Sequence, residues 1–332
     1  MGSACNLACS YCFYSDHPAG VISERTLDLL LESYNALPFT AKSITLQGGE
    51  PLLAPGYVLD KIESLPFARS LQTDATLVTP ALAERLKAGN WLVGASLDGS
   101  PAHNILRKTK QSKAINAFND AYAGIKNLER ANVDYNLLTV VSSANAANAK
   151  DVYTFLRDNF STRYHQYIEC TGPCNEISAE QWGRFLCDLF DEWSKRDAYT
   201  VSIRLFDSIV SKLIQGVHTQ CTLSPSCSGY LVVEHDGSVY PCDFHVKDNL
   251  KLGNITTDSW DRITECAIAR QFAAAKNASL REPCASCRYL YVCNGDCPRN
   301  RCAGRSVLCE GWKKFFSHSL ERFSSIISAM GS

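Results

Sequence analysis

Three cysteines near the start of the chain, Cys5, Cys9 and Cys12, stand in a Cys-x3-Cys-x2-Cys spacing with no fourth cysteine nearby. Three thiolates can ligate three irons of a four-iron cluster and leave the fourth iron without a protein ligand. Catalytic metal sites keep such an open position, whereas structural sites are fully ligated by the protein. The spacing therefore predicts an iron–sulfur site with an enzymatic role. Taken alone, the triplet also fits part of a zinc site.

A second group of cysteines lies in the last third of the chain, at intervals of a few residues to a few tens of residues. Eight thiolates are enough for two fully ligated four-iron clusters. The Cys-x2-Cys pair within this group would, on its own, also fit zinc. The eight residues are Cys221, Cys227, Cys242, Cys284, Cys287, Cys293, Cys297 and Cys309.

Two short polar segments follow strand-like stretches. Gln47 to Pro51 reads Gln-Gly-Gly-Glu-Pro, and Ser96 to Gly99 reads Ser-Leu-Asp-Gly. Ligands of parallel α/β folds bind at the carboxyl ends of strands, and glycines there allow close approach of the backbone. Glu50 is a candidate acceptor for an ammonium group. Each segment alone is typical of an ordinary turn, but together with the cysteine triplet they predict a cofactor pocket.

The first two-thirds of the chain alternates strand-like and helix-like segments, which predicts an α/β fold with parallel strands. Strands are expected at 43–47, 69–72, 92–97, 135–141 and 164–168, with helices at 24–37, 58–65, 80–87, 114–131 and 150–159. A further strand should precede Cys5, where only four residues stand. We expect a barrel domain over residues 1–205 and a cysteine-rich domain over residues 206–332. Two helices, at 179–195 and 206–215, should connect the two regions. The cysteine-rich domain should contain a hairpin around Asp236-Gly237 and a closing helix over 312–327.

Composition narrows the class of protein. The 332 residues carry a net charge of -1, are 45% hydrophobic and 20% charged, and include 16 cysteines. Such a balance gives no electrostatic reason to expect nucleic acid or a membrane surface as partner. No apolar run approaches the roughly 20 residues of a membrane span, and no signal peptide is visible. We expect a cytoplasmic protein whose cysteines bind metal rather than form disulfides.

The N-terminal motifs resemble those of the radical S-adenosylmethionine (SAM) enzymes, which carry an aromatic residue before the third cysteine, here Tyr11. The resemblance implies a [4Fe-4S] cluster on Cys5, Cys9 and Cys12, with SAM bound to the fourth iron. It implies a partial (β/α)6 barrel, with the first strand apparently missing from this chain. SAM would be lined at its methionine end by Gly48, Gly49, Glu50 and Pro51, and Ser96 would lie near its ribose and carboxylate. Two segments depart from the family. Gln72 to Ala75 reads Gln-Thr-Asp-Ala where Gln-Thr-Asn-Gly is usual, and Ser100 to Arg107, after Ser-Leu-Asp-Gly, lacks the usual His-Asp-x-x-Arg pattern.

The second group of cysteines resembles the SPASM extension of radical SAM enzymes, which holds two auxiliary [4Fe-4S] clusters and brings the total to three. The resemblance implies that one cluster is ligated by Cys221, Cys227, Cys242 and Cys297. The other would be ligated by Cys284, Cys287, Cys293 and Cys309. The cysteines that match no ligand position should be small buried residues, with Cys302 also a competing ligand candidate. They are Cys170, Cys174, Cys187, Cys266 and Cys302.

Within the SPASM group the chain resembles the anaerobic sulfatase-maturating enzymes, most clearly in Leu231 to Phe244 and Leu308 to Phe316. Those enzymes oxidise a cysteine or serine of a sulfatase peptide to Cα-formylglycine. The resemblance implies that Asp243 is the catalytic base and that Tyr14 and Gln47 face the peptide. It also implies a sulfatase or other peptide as partner and an electron donor such as flavodoxin or ferredoxin.

Two alternatives stay open at this point. Another SPASM maturase, forming a thioether or another radical modification in a ribosomal peptide, would carry the same clusters and differ only in its substrate. A non-catalytic zinc-binding interaction module would use the cysteines structurally. The iron content of anaerobically purified protein distinguishes the second alternative from any radical enzyme.

Overall fold

A computed structural model describes residues 2–112, 116–171, 176–280 and 282–330, with the side chains of Asp16 and Met330 left undescribed. Six strands of this part of the chain form one parallel sheet in chain order. The first five of the six strands were predicted from the sequence. The six strands are β1 (Ser43–Leu46), β2 (Ala68–Thr73), β3 (Trp91–Ser96), β4 (Asp134–Val141), β5 (Tyr164–Glu169) and β6 (Ser202–Ile203).

The first strand of the barrel was predicted to be missing, and among the described residues no strand precedes β1, which lies at one edge of the sheet. The sixth strand of this sheet was not predicted. The strand at the other edge is β6, whose Ser202 is paired with Tyr164 of β5. Two residues are too few to show a period-2 pattern, so sequence reasoning missed this strand.

The helices follow the predicted alternation, and two of their starts were predicted residue by residue. Ser23 Oγ accepts a hydrogen bond from the N–H of Thr26, and Thr79 Oγ1 accepts one from the N–H of Leu82. Both are N-cap contacts that satisfy otherwise unpaired backbone donors. The helices of the described residues are α1 (Glu24–Asn35), α2 (Tyr57–Glu63), α3 (Pro80–Ala88), α4 (Phe118–Arg130), α5 (Ala149–Asn159), α6 (Ala179–Arg196), α7 (Arg204–Gln215), α8 (Trp260–Thr264), α9 (Ala267–Ala278), α10 (Leu290–Cys293) and α11 (Cys309–Met330).

Helix α4 begins later than the predicted residue 114. Residues 113–115 lie outside the described part of the chain, so that portion of the prediction has no structural counterpart here. None of the described helices is long and apolar enough to span a lipid bilayer.

The described chain divides into two compact units, and the first is built from three separate segments. They are the residues up to 96, residues 107–135 and residues 228–273. The predicted hairpin is present as β7 (Val232–Val233) and β8 (Ser238–Tyr240), and β9 (Gly253–Asn254) extends it to a three-stranded antiparallel sheet. Gly237 in its turn has φ +84°, a conformation that favours glycine. This small sheet and α1 share an apolar core that contains Val239, Leu252 and Ile263.

The second unit comprises residues 97–106, 136–227 and 274–332. Its helices α6 and α11 pack closely because Gly183 and Gly311 face one another, and a Cβ on Gly311 would lie 2.2 Å from the carbonyl oxygen of Ala179. Several large aromatic side chains are fully buried around this contact, each worth about 1.5–3 kcal/mol of hydrophobic stabilisation. They are Trp182, Phe185, Phe190, Phe206, Trp312, Phe315 and Phe323. The proposed domain boundary near residue 205 stays a prediction.

Candidate active site

The segment that leads into the cysteine triplet is held against the end of β1 by backbone hydrogen bonds. The N–H of Gly49 donates to the carbonyl of Gly2 at 3.0 Å, and the N–H of Glu50 donates to that of Ala4 at 2.7 Å. A Cβ on Gly49 would lie 2.1 Å from the Ala4 carbonyl oxygen. Only glycine therefore permits this approach, and the Gly-Gly-Glu-Pro segment positions the cysteine loop as well as any ligand.

The cysteine loop is also bound on its other side. The N–H of Ala8 donates to the carbonyl of Lys108 at 2.7 Å, and the N–H of Lys110 donates to that of Asn6 at 2.9 Å. Near the third cysteine, Arg107 donates to the hydroxyl of Tyr11 at 3.0 Å. Backbone from two separate segments thus fixes the loop between Cys5 and Cys12.

Within the loop, the donor set suits iron. The N–H of Leu7 donates to Cys5 Sγ at 3.3 Å, a contact typical of cluster sulfurs. Burial raises the pKa of the Cys5 thiol to about 11, so an isolated Cys5 would stay protonated at neutral pH. A bound metal deprotonates a coordinating thiol outright. Three cysteines on one backbone-anchored loop fit a cluster with one open iron.

Glu50 does not present a free carboxylate in this structure. Its Oε1 accepts hydrogen bonds from Thr73 Oγ1 at 2.8 Å and from the N–H of Leu52 at 3.0 Å, and its Oε2 accepts one from the N–H of Asp74 at 2.8 Å. The side chain is 3% exposed, and burial, followed by the neighbouring Asp74, raises its pKa to about 7. Glu50 therefore ties the ends of β1 and β2 together. Next to it, Pro51 is buried and begins a 3-10 turn.

Near the carboxyl end of β2, several buried side-chain oxygens have no hydrogen-bond partner among the described residues. Asp74 Oδ1 accepts hydrogen bonds from the N–H and hydroxyl of Thr76, and that hydroxyl accepts one from the side-chain amide of Asn6. Asp74 Oδ2, Asn6 Oδ1 and Gln72 Oε1 are buried without a hydrogen-bond partner among the described residues. Ser96 ends the adjacent strand β3. Such unsatisfied acceptors fit the ammonium and hydroxyl donors of SAM, because buried polar atoms are normally paired.

Asp243 lies in a 3-10 turn directly after Cys242, and both of its carboxylate oxygens are held. Gln47 Nε2 donates to Oδ2 at 2.8 Å. Tyr230 Oη donates to Oδ1 at 2.9 Å, and the N–H of Phe244 donates to the same oxygen at 3.1 Å. Two residues named from the sequence, Gln47 and Asp243, are thus in direct contact although 196 positions separate them.

Tyr230 is the residue that sequence reasoning missed at this site. Its hydroxyl lies 3.5 Å from Cys242 Sγ as well as 2.9 Å from Asp243 Oδ1. The only sequence signal is a tyrosine three positions after the candidate ligand Cys227, which is too weak to single it out. Antiparallel pairing of β7 with β8 brings Tyr230, which precedes β7, close to Asp243, which follows β8.

Tyr14 belongs to a polar group that it forms with Glu234 and His17. Its hydroxyl makes long hydrogen bonds of 3.4 Å to both carboxylate oxygens of Glu234, and its ring stacks on His17 at 3.7 Å between centroids. His17 Nδ1 lies 2.9 Å from Glu234 Oε1. Burial, reinforced by Glu234, raises the pKa of Tyr14 well above its usual range. Contact of Tyr14 or Gln47 with a peptide stays a prediction.

In the second unit, four predicted ligands line one cavity. Cys284, Cys287, Cys293 and Cys309 share it with apolar side chains that include Trp312. Burial raises the pKa of Cys293 to about 12. Four thiols around one apolar cavity fit a fully ligated four-iron cluster.

The remaining predicted ligands divide between the units. Cys242 belongs to the first unit, and Cys221, Cys227 and Cys297 belong to the second. Burial raises the pKa of Cys242 and of Cys297 to about 12 in each case. A common cluster for these four stays a prediction.

The non-ligand cysteines only partly match expectation. Cys170 and Cys187 are buried as predicted, whereas Cys266 is half-buried and Cys302 is exposed. The expectation of burial is wrong for Cys302, because the short turn that carries it lies at the surface. Cys174 lies outside the described residues.

Comparison with known proteins identifies two family domains in the chain. Residues 1–156 match the model of the radical SAM superfamily, and residues 221–288 match SPASM, an iron–sulfur cluster-binding domain. A serine-type anaerobic sulfatase-maturating enzyme of Bacteroides thetaiotaomicron is 31% identical, over 96% of this chain and 87% of the relative. A cysteine-type enzyme of Clostridium perfringens is 29% identical, over 98% and 95% respectively.

Solved structures agree. Native anSMEcpe with bound AdoMet and Kp18Cys peptide superposes with a TM-score of 0.93 at 29% identity, covering 99% of this chain and 97% of that one. Streptococcus suis SuiB bound to precursor peptide SuiA gives a TM-score of 0.67 at 14% identity, covering 92% and 73%, a likeness of fold alone. The predicted α/β fold with an iron–sulfur extension is confirmed. The chain belongs to the anaerobic sulfatase-maturating enzymes, a family of SPASM-containing radical SAM enzymes.

Proposed function

We propose that this protein oxidises a cysteine or serine of a sulfatase peptide to Cα-formylglycine. The observation that carries the proposal is the Asp243 carboxylate, which hydrogen bonds from Gln47 and Tyr230 hold in place directly after the candidate ligand Cys242. The family includes serine-type and cysteine-type enzymes, and the identity to each is similar. Both target residues are therefore included.

The cofactors are held by residues of both units. Cys5, Cys9 and Cys12 hold the cluster at which SAM binds, and the segment from Gly48 to Pro51 lines SAM together with Tyr11 and Ser96. The buried oxygens near the end of β2 support this assignment, because they have no hydrogen-bond partner in the described part of the chain and suit a ligand rich in donors. When bound, the cofactors supply a carbon-centred radical that removes a hydrogen atom from Cβ of the target residue, and an auxiliary one-electron acceptor.

Asp243 accepts the proton of the target thiol or hydroxyl. A serine target then yields the aldehyde directly, whereas a cysteine target yields a thioaldehyde that water hydrolyses to the aldehyde with release of hydrogen sulfide. A general base needs hydrogen-bond reach and a fixed orientation, and the three donors on Asp243 provide the orientation. Gln47 and the buried Tyr14 flank this position and are the proposed peptide contacts. Because the carboxylate follows Cys242 directly, proton acceptance takes place next to a ligand of an auxiliary cluster.

The eight downstream cysteines hold the two auxiliary clusters in the sets implied by the family. The shared cavity of Cys284, Cys287, Cys293 and Cys309 supports one set. A reducing partner such as flavodoxin or ferredoxin supplies the electron that starts each turnover. We place the reaction in the cytoplasm, where a reducing environment keeps the cysteines available for metal.

A peptide assay tests the proposal. Reconstituted enzyme is incubated with SAM, a reductant and a peptide carrying Cys-x-Pro-x-Arg or Ser-x-Pro-x-Arg, and aldehyde formation is followed by mass spectrometry. A peptide with alanine at the target position is the control. Colourless protein that contains zinc, or a thioether in place of an aldehyde, would contradict the proposal.

The Asp243→Asn variant tests the base. It should still cleave SAM but lose peptide oxidation by about 100-fold or more, the usual contribution of a positioned base. Normal aldehyde yield from this variant would remove Asp243 from the mechanism without affecting the assignment of the substrate.

A further inference from the structure

Lys276, near the end of α9, is a fully buried lysine that the proposed mechanism does not use. Its Nζ donates to the carbonyl oxygens of Cys221 and Thr222, both at 2.7 Å. Cys221 is one of the candidate ligands of the auxiliary cluster, so the ammonium group holds the backbone that carries this ligand. Lysine is almost never fully buried unless its charge is compensated.

The hydrogen-bond acceptors of the Lys276 ammonium group are backbone carbonyls and not carboxylates. Within the described residues, Lys276 forms no ion pair with Asp or Glu, and the acceptors of its hydrogen bonds are neutral carbonyls. Burial lowers the pKa of Lys276, whereas the nearby thiols of Cys227, Cys297 and Cys221 and the carboxyl group of Asp296 act in the opposite direction and favour its charged form. Three of the four candidate ligands of one cluster therefore lie around this ammonium group.

The Asp296 carboxyl group has other partners. The N–H of Cys297 donates to its Oδ1, and Asn300 and Ser306 donate to its Oδ2. Its hydrogen-bonding capacity is directed to these neutral donors, which hold the turn before Cys297. Asp296 is not hydrogen-bonded to Lys276, and the thiolates that a bound cluster would provide are a further source of negative charge near the ammonium group.

Arg301 adds a second cation beside the same ligands. All five of its N–H groups donate to neutral oxygens: the carbonyls of Gly295, Asn294, Asp296 and Lys276, and the hydroxyl of Ser279. One of these bonds, to the carbonyl of Lys276, joins the two cationic residues, and two others go to Gly295 and Asp296 in the turn before Cys297. Neither Lys276 nor Arg301 forms an ion pair with a carboxylate of the described residues.

We propose that Lys276, assisted by Arg301, is the counter-charge of the auxiliary cluster ligated through Cys221, Cys227 and Cys297, and raises its reduction potential. This inference rests on the proposed ligand set. An oxidised four-iron cluster with four thiolates carries about two negative charges, and one added electron makes it more negative. Nearby positive charge stabilises the more negative state, so it favours electron uptake by the cluster.

The test is a redox titration of the reconstituted enzyme, followed by electron paramagnetic resonance, with iron content measured on each sample. Lys276→Met removes the charge and keeps a long apolar side chain, and Lys276→Arg restores the charge. Lys195→Met, at a lysine whose side chain is 63% exposed in the same unit, is the matched control. We expect one cluster of Lys276→Met to move to a more negative potential, and Lys276→Arg and the control to match the wild type.

Unchanged potentials in an iron-replete Lys276→Met protein would overturn the inference. If Lys276→Met does not bind its full iron, the Lys276→Arg variant decides the outcome. Full iron and a wild-type potential in Lys276→Arg show that the positive charge is required. Loss of iron in Lys276→Arg as well shows that a positive charge at this position is not sufficient, and overturns the assignment. SAM cleavage without peptide turnover serves as a separate readout. A wild-type enzyme that fails to oxidise the sulfatase-type peptide refutes the proposed function and leaves the potential measurement standing.

Discussion

The contact between Tyr230 and Asp243 leads to a quantitative expectation for the Tyr230→Phe variant. The substitution removes the hydroxyl that donates to Asp243 Oδ1 at 2.9 Å and keeps the ring. A hydrogen bond to a charged group contributes about 1.5–3 kcal/mol. Because Tyr230 is 46% exposed, water replaces part of it, and we expect about 0.5–1.5 kcal/mol. Since about 1.4 kcal/mol is tenfold in rate, peptide oxidation should slow about two- to tenfold.

The assay measures the peptide aldehyde and 5′-deoxyadenosine in the same samples. We expect the ratio of aldehyde to deoxyadenosine to fall in Tyr230→Phe while SAM cleavage continues at the wild-type rate, because SAM is held by other residues. Tyr291→Phe, at a tyrosine that is 51% exposed in the other compact unit, should match the wild type. An unchanged ratio in Tyr230→Phe, or equal loss of both products, would refute the view that Tyr230 acts by positioning Asp243.

Three further predictions concern the pocket and the clusters. Gly49→Ala places a Cβ on a backbone carbonyl of the segment before the cysteine loop, so reconstituted iron and SAM cleavage should fall, whereas Gly56→Ala, which meets open space, should change neither. The raised pKa of Glu50, about 7 against a usual 4.5, means that the folded state binds more protons between these values, so the stability of the iron-free protein should fall as pH rises across this window. Denaturant unfolding at several pH values should show that Glu50→Gln flattens this dependence, and an unchanged slope would contradict the assignment. Cys302→Ser should keep full iron because Cys302 is exposed and outside the shared cavity, whereas Cys293→Ser should lose about four irons per chain.

The parts of the fold that depend on neighbouring residues were predictable from the sequence. The cap at Ser23 and the Thr79-Pro80 helix start involve contacts within a few residues, and both are present. The five long strands were also identified, because four to eight residues are enough to show a buried pattern. Strand β6 was missed, since a two-residue strand is defined only by its partner β5.

The site shows the same division between local and distant contacts. Spacing alone indicated the cysteine loop and the Gly-Gly-Glu-Pro segment, whereas Tyr230 and Glu234 had no recognisable signal. Glu50 was predicted to accept from a ligand, but the structure directs its oxygens to Thr73, Leu52 and Asp74. A carboxylate can be assigned an acceptor role from sequence, but the identity of its donors depends on which strand ends meet.

The segmented first unit has a consequence for synthesis of the protein. Its parts end at residues 96, 135 and 273, so the unit cannot be completed until residue 273 has left the ribosome. At about 5–20 residues per second, the apolar face of α1 is synthesised roughly 10–50 seconds before Val239 and Ile263, which share its core. Long-range contacts of this kind slow folding and leave apolar surface open to aggregation. We therefore expect iron to be inserted after translation, and overproduction to depend strongly on chaperones and on slow expression.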